Sequence, residues 1–217
     1  MVFGTGELAE LAAYYFTEDG DRAVAAFVVD DEFVREDTFA SRPVIALSEL
    51  ASRFPPAAYD AFVAIGYRQL NQARATKCAQ LRALGYRLAS YVSTRSSTWP
   101  DLKLGDNCLI MESNTIQPFV RIGNGVIVWC ENLISHHVVV GDNVFIASHV
   151  VISGGVQIGE GTFLGVNSTI KEKVRIGAGV IVGAGALILK DADPDSGYLE
   201  HPTARAGIPA RRLQALL

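Results

Sequence analysis

From Arg121 to Glu160 the chain reads RIGNGVIVWCENLISHHVVVGDNVFIASHVVISGGVQIGE, and every sixth residue in it is aliphatic: Ile122, Val128, Ile134, Val140, Ile146, Ile152 and Ile158. The same register extends outward without exception from Leu104 to Ile188. A helix returns its apolar face every three to four residues and a strand every two, so a period of six requires short strands separated by regular corners. The pairs Leu104-Gly105, Ile122-Gly123, Val140-Gly141, Ile158-Gly159 and Ile176-Gly177 recur every eighteen residues. Three hexads therefore make one coil, and five coils are expected from about Leu104 to about Asp193. Positions four after each aliphatic residue are mostly small or β-branched, as at Val126, Val138, Val144 and Ala186, which suits a narrow prism interior. One coil cannot bury its own apolar side, and stacking covers it. Asn114 and Asn132 occupy two interior positions eighteen apart, where their amides can stack as a ladder.

Working outward, the first hundred residues have a different pattern. Met1-Val2-Phe3 is a strand stub, Gly4-Thr5-Gly6-Glu7-Leu8-Ala9 opens a helical pattern that runs through Phe16, and Ala23 to Asp30 reads as a second strand ending in Asp30-Asp31. Strand, GxGxxA turn, helix, strand, acid is the context a nucleotide-binding fingerprint needs. The glycines let the backbone approach a phosphate at a helix N-terminus, and the acid can accept ribose hydroxyls. Ala61 to Gly66 is a continuous apolar strand ending in glycine. Ligands of open α/β sheets lie beyond the carboxyl ends of strands, which puts Gly66 and Tyr67 in one crevice with Gly4 and Asp30. A helix from about Asn71 to Leu84 and a strand from about Arg87 to Val92 complete the unit. About ninety residues is half of a dinucleotide domain, so one nucleotide is expected rather than NAD; the alternative is a degenerate domain that only packs on the solenoid. Trp99-Pro100 marks the junction, since proline breaks a strand ladder. The expected divisions are an α/β Rossmann-like domain over 1–98, an all-β solenoid over 99–193 and a tail over 194–217.

Composition fits this layout. With 217 residues, one or two domains are expected, and 49% hydrophobic residues suffice for a buried core. A net charge of −4 gives no support for nucleic-acid binding. No run of eighteen apolar residues occurs and the start lacks the basic residues of a secretory signal, so no membrane association and a cytoplasmic location are expected. Cys78, Cys108 and Cys130 are odd in number and lack CxxC spacing, which suggests neither a disulfide framework nor a zinc ribbon. No metal site is expected. His136, His137 and His149 fall two or three places after a core aliphatic residue, where side chains point outward.

The repeated aliphatic-Gly-x-x-small-x pattern resembles the hexapeptide-repeat transferases, whose fold is a left-handed parallel β-helix. The whole chain is most similar to the sialic-acid O-acetyltransferase and bacillosamine N-acetyltransferase group of sugar acyltransferases. That resemblance implies transfer of an acyl group, acetyl by expectation, from coenzyme A to an amino or hydroxyl group of a nucleotide-linked sugar, in support of surface polysaccharide synthesis. It implies acetyl-CoA as cosubstrate and a homotrimer with each active site between subunits. Phe119, Trp129, Phe145 and Phe163 are outward apolar residues expected at that contact. His136 falls on the family's catalytic base, and an imidazole near its ordinary pKa of about 6.5 suits that task. His137 stands where the family carries Asp or Glu, so the base lacks its usual anionic support unless Glu131, Asp142 or a neighbouring subunit provides it. Gly154, eighteen residues after His136 and followed by Gly155, matches the amide that meets the acyl-CoA thioester. Gly4, Gly6, Asp30, Asp31 and Gly66 match positions that hold the nucleotide, and Arg211 and Arg212 in Gly207-Ile208-Pro209-Ala210-Arg211-Arg212 match the terminal basic segment that attracts coenzyme A phosphates.

Two other readings come with the repeat. One is a non-catalytic assembly subunit, which needs neither the glycine crevice nor the stack of His136 under Gly154. The other is a metal-dependent hydratase of the carbonic-anhydrase type, which needs three histidines converging from two subunits with two of them five apart. His136, His137 and His149 lack that spacing.

Overall fold

The computed structural model describes residues 1–199. Its N-terminal unit runs β1 (Val2–Phe3), α1 (Glu7–Glu18), β2 (Phe27–Val29), β3 (Thr38–Phe39), β4 (Arg42–Ala46), α2 (Leu50–Arg53), β5 (Phe62–Val63) and α3 (Gln72–Ala83). The sheet order is β3-β4-β2-β1-β5, parallel except for the β3–β4 pair. Beyond β1 the chain crosses to β2 on one side and later to β5 on the other, so the β1 carboxyl end is a topological switch point of the kind that opens a ligand crevice. The second strand is shorter than expected, because only Phe27–Val29 finds strand partners, with Phe27 and Val28 paired on both sides.

Tyr91–Val92 does not complete this sheet as expected. It pairs with Leu109–Ile110, while Leu88 alone bridges to Ala61. The solenoid stack therefore begins one coil earlier than the repeat register suggests. Thr98, eighteen residues before Ile116, is not aliphatic, and this hides the period there. At the far end Gly197–Tyr198 extends the stack by pairing with Ile181–Val182.

The solenoid itself is a left-handed parallel β-helix with three sheets of two-residue strands, each strand in register with those eighteen residues before and after it. The aliphatic hexad residues and the small residues four places later form one buried column, from Ile110 and Val126 to Val182 and Ile188. Between strands the chain turns at corners whose third residue after the core aliphatic has positive φ, as at Phe119 (67°), His137 (60°), His149 (59°) and Gly155 (72°). Asn, His and Gly adopt that region most readily, whereas a bulky residue there is an outlier. Asn114 and Asn132 form the expected ladder: the Asn132 backbone N–H donates to Asn114 Oδ1 at 2.9 Å and the Val150 N–H to Asn132 Oδ1 at 2.7 Å.

The N-terminal unit lies on one of the three sheets. Leu109, Met111, Ile127 and Phe145 form a buried cluster with Ala9, Ala12, Phe16 and Tyr91, and Trp129 and Phe163 pack against it. This corrects the expected subunit contact. Three of its four outward aromatics, Trp129, Phe145 and Phe163, are covered by the chain's own N-terminal unit, and only Phe119 stays exposed. Burying each such large side chain contributes about 1.5–3 kcal/mol, so the sheet face takes the nearest apolar cover available. The apolar side chains left open on a second sheet are Leu133, Val151 and Leu187.

Candidate active site

His136 and His137 sit on the corner that follows Ile134, between the two sheets the N-terminal unit does not cover. Both are exposed. The repeat stacks Gln117, Pro118 and Phe119 on one side of them and Gly154 and Gly155 on the other. The His136 N–H donates to Gln117 Oε1 at 2.8 Å, and the His136 carbonyl accepts the Gly155 N–H at 2.9 Å. A Cβ placed on Gly154 would lie 2.6 Å from His136 Cε1 and 2.8 Å from Nε2. The glycine thus makes room for the imidazole itself, and the ring fills the space a side chain would take. Among the described residues the Gly154 N–H and His136 Nε2 have no hydrogen-bond partner.

The Nδ1 atoms of His136 and His137 are 3.2 Å apart, a contact in which one must carry the hydrogen. The His137 ring packs on Phe119 with centroids 4.7 Å apart. Neither carboxylate considered for support reaches the pair. Glu131 is joined to His149 at 2.8 Å on a different corner, and Asp142 accepts from Asn124. Among the described residues no group of three His, Cys, Asp or Glu side chains is placed to hold a metal ion.

The nucleotide-type residues gather at the carboxyl ends of β1, β2 and β5. Gly4 has φ of 117°, and a Cβ there would meet the Ala64 carbonyl at 3.2 Å, so glycine permits both the turn and the close approach of β5. Gly6 caps α1, its carbonyl accepting from Ala9 and Glu10. Asp30 pairs with Lys77 of α3 at 2.5 Å, and hydrogen bonds from Ser48 hold the Asp31 carboxyl below the usual carboxylate range. A cleft of about 260 Å³ beside this loop is lined by Thr5, Phe33, Arg35, Phe39 and Val44. A second cavity of similar size, at Met1, Arg22, Asp60 and Arg87, lies at the opposite ends of the strands, where the Asp60 carboxylate pairs with both arginines. Arg211 and Arg212 lie outside the described residues.

Gly66 is held by a residue that the sequence did not single out. Arg74 is fully buried and donates to the carbonyls of Ile65, Gly66, Gly125 and Asn143 and to Asn71 Oδ1, at 2.7–3.1 Å. Asn71 adds a bond to the Gly161 carbonyl at 3.0 Å. Gly125, Asn143 and Gly161 are stacked corners of three successive coils, so one side chain and its neighbour fix the crevice loop to the solenoid. Burial lowers the Arg74 pKa to about 10, which leaves the guanidinium charged at neutral pH. Buried arginine in a helix carries no sequence signal; Gln117 and Phe119 could have been found by reading the corner column eighteen residues before Ser135 and His137.

Residues 155–190 match the family Bacterial transferase hexapeptide (six repeats). The matched residues span two coils of the solenoid. Comparison with curated proteins gives no match. Among solved structures, the chain is similar to the acetyltransferase domain of PglB from Neisseria gonorrhoeae FA1090 in complex with acetyl coenzyme A, at 24% identity and TM-score 0.81 over 93% of this chain and 95% of that one. It is similar also to PerB from Caulobacter crescentus in complex with CoA and GDP-perosamine, at 25% identity and TM-score 0.82 over 92% of each chain. A third similar structure is WeeI from Acinetobacter baumannii AYE, at 21% identity and TM-score 0.73 over 90% of this chain and 93% of that one. These likenesses cover the N-terminal unit together with the solenoid.

Proposed function

We propose that the protein transfers an acyl group, acetyl in the first instance, from coenzyme A to an amino or hydroxyl group of a nucleotide-linked sugar. The observation that carries this reading is the His136 ring seated on Gly154 at an open corner, with Nε2 and the Gly154 N–H both without a partner among the described residues. Its support is the combination of that corner with a switch-point crevice in one chain, an arrangement shared in fold with PglB and PerB, which were solved with acetyl coenzyme A and with CoA and GDP-perosamine.

In this reading the acceptor lone pair attacks the thioester carbonyl carbon. A carbon–nitrogen or carbon–oxygen bond forms, the carbon–sulfur bond breaks, and coenzyme A leaves as the thiol. His136 Nε2 takes the proton the acceptor loses, and the Gly154 N–H donates to the oxygen as charge develops there. For Nε2 to accept, the neutral ring must carry its hydrogen on Nδ1 and donate it to Nδ1 of His137, which then carries its own hydrogen on Nε2. His137 replaces the family's acid as a neutral acceptor that fixes the tautomer and orientation of the base. It supplies no negative charge.

The N-terminal unit, up to about residue 90, holds the nucleotide, and the solenoid, whose stack runs from Tyr91 to Tyr198, carries the chemistry. The unit covers the sheet opposite the His136 corner, so the sugar held by one chain meets the histidine of a neighbour. A homotrimer built on the second sheet, through Leu133, Val151 and Leu187, satisfies that requirement. The test is incubation with acetyl-CoA and a panel of UDP-, GDP- and dTDP-linked amino sugars and their hydroxyl counterparts, read by product mass. An acetylated sugar supports the reading; silence across the panel together with absent coenzyme A binding favours the assembly subunit.

A further inference from the structure

A cleft of about 440 Å³ opens beside His137, lined by Asp101, Lys103, Phe119, Val120 and Arg121. Three features of this cleft cost the fold stability without a structural return. Phe119 adopts φ of 67°, a conformation that suits Gly or Asn and strains a bulky side chain. The residue is 59% exposed, so the strain is not offset by burial in the core. Lys103 and Arg121 are exposed and face each other in register on adjacent strands, where like charges repel. Among the described residues neither has an ionic partner, and the next rungs of the sheet are Val139 and Gln157. Asp101, the nearby carboxylate, accepts the Phe119 N–H at 2.9 Å.

An open aromatic face next to two unpaired cations is the complement of a sugar ring carrying a diphosphate. The apolar face of a pyranose covers a phenyl ring, and two adjacent cations match the two charges of a diphosphate ester. The His137 ring on Phe119 ties this surface to the base, so a sugar whose nucleotide is held in a neighbouring chain's crevice seats its ring and diphosphate here beside the histidine pair.

We propose that this cleft is the acceptor subsite, with Phe119 as the platform for the sugar ring and Lys103 and Arg121 as the ligands of its diphosphate. The proposal rests on the transferase reading above. Coenzyme A also contains a diphosphate, so the experiment must separate the two sources.

The decisive experiment uses the full chain and its Lys103→Ala, Arg121→Ala and Phe119→Asn variants. Steady-state KM is measured for acetyl-CoA and for whichever of the UDP-, GDP- and dTDP-linked amino sugars is acetylated, alongside thermal melts. Loss of one charge-assisted hydrogen bond is expected to raise the acceptor KM about 10- to 100-fold in each alanine variant, with the acetyl-CoA KM unchanged. Phe119→Asn is expected to raise the acceptor KM while melting at the same temperature or higher, since Asn tolerates the left-handed corner. Transfer with an unchanged acceptor KM overturns the subsite and leaves the transferase reading standing, and so does a rise confined to acetyl-CoA. Calorimetric titration with the same three nucleotide-linked sugars reads the subsite without turnover. Binding weakened in the alanine variants upholds it even if no sugar is acetylated, and absence of binding to the unaltered protein overturns it.

Discussion

At the residue scale, the corner works because Gly154 has no side chain. An added methyl would lie 2.6 Å from the His136 ring, and the exposed imidazole would swing outward to relieve the clash. Gly154→Ala should therefore lower kcat about 10- to 100-fold, a part of what a positioned base contributes. The melting temperature should stay nearly the same, because the displaced side chain is on the surface; a circular dichroism melt beside a rate measurement checks both. Buried weak acids predict the behaviour at high pH. Burial raises the Cys78 thiol to about 11 and the Cys108 thiol to about 12, and burial together with the hydrogen bond to Asp19 raises the Tyr91 hydroxyl to about 12. Their folded values exceed the unfolded ones, so the stability they contribute is complete below about pH 9 and is lost as pH rises through 11–12. Denaturant midpoints should hold steady from neutral pH to about 9 and fall above it.

At the element scale, the docking of α3 on the solenoid depends on Arg74. Its guanidinium bonds five acceptors drawn from the crevice loop and from two corners. Arg74→Met should destabilise the protein by roughly 3–5 kcal/mol, since buried carbonyls lose charged donors. A separate early transition for the N-terminal unit in a urea melt is the expected form of that loss. Arg74 also marks where sequence reading stops. The hexad register made every solenoid strand from Leu104 to Ile188 legible, because a buried column tolerates only aliphatic residues at its aligned positions. The glycine turn and the strands beside it were legible for a similar reason: Gly4 has a backbone that other residues rarely adopt. The outward faces were not. Phe145 and Phe163 look the same in sequence whether a neighbouring chain or the same chain covers them, and only the course of the N-terminal unit decides that. Thr98 hid one coil, and the His136–His137 contact follows from side-chain rotation, which no period encodes.

At the scale of the whole molecule, one prism face is covered, one corner carries the histidines, and a further face presents Leu133, Val151 and Leu187 to solvent. Light scattering is predicted to give three times the chain mass. Leu187→Glu combined with Leu133→Glu should reduce this to one chain with the circular dichroism spectrum retained, and should abolish transfer if each site draws on two chains. The account as a whole stands on His136 acting as the base of an acyl-CoA-dependent transfer. The most direct measurement is release of free coenzyme A thiol from acetyl-CoA in the presence of the accepted nucleotide-linked sugar, for the unaltered protein and for His136→Ala. Sugar-dependent release that falls about 10²- to 10⁴-fold in the variant, with coenzyme A binding retained, is the predicted result; release at an equal rate in the two proteins would contradict it.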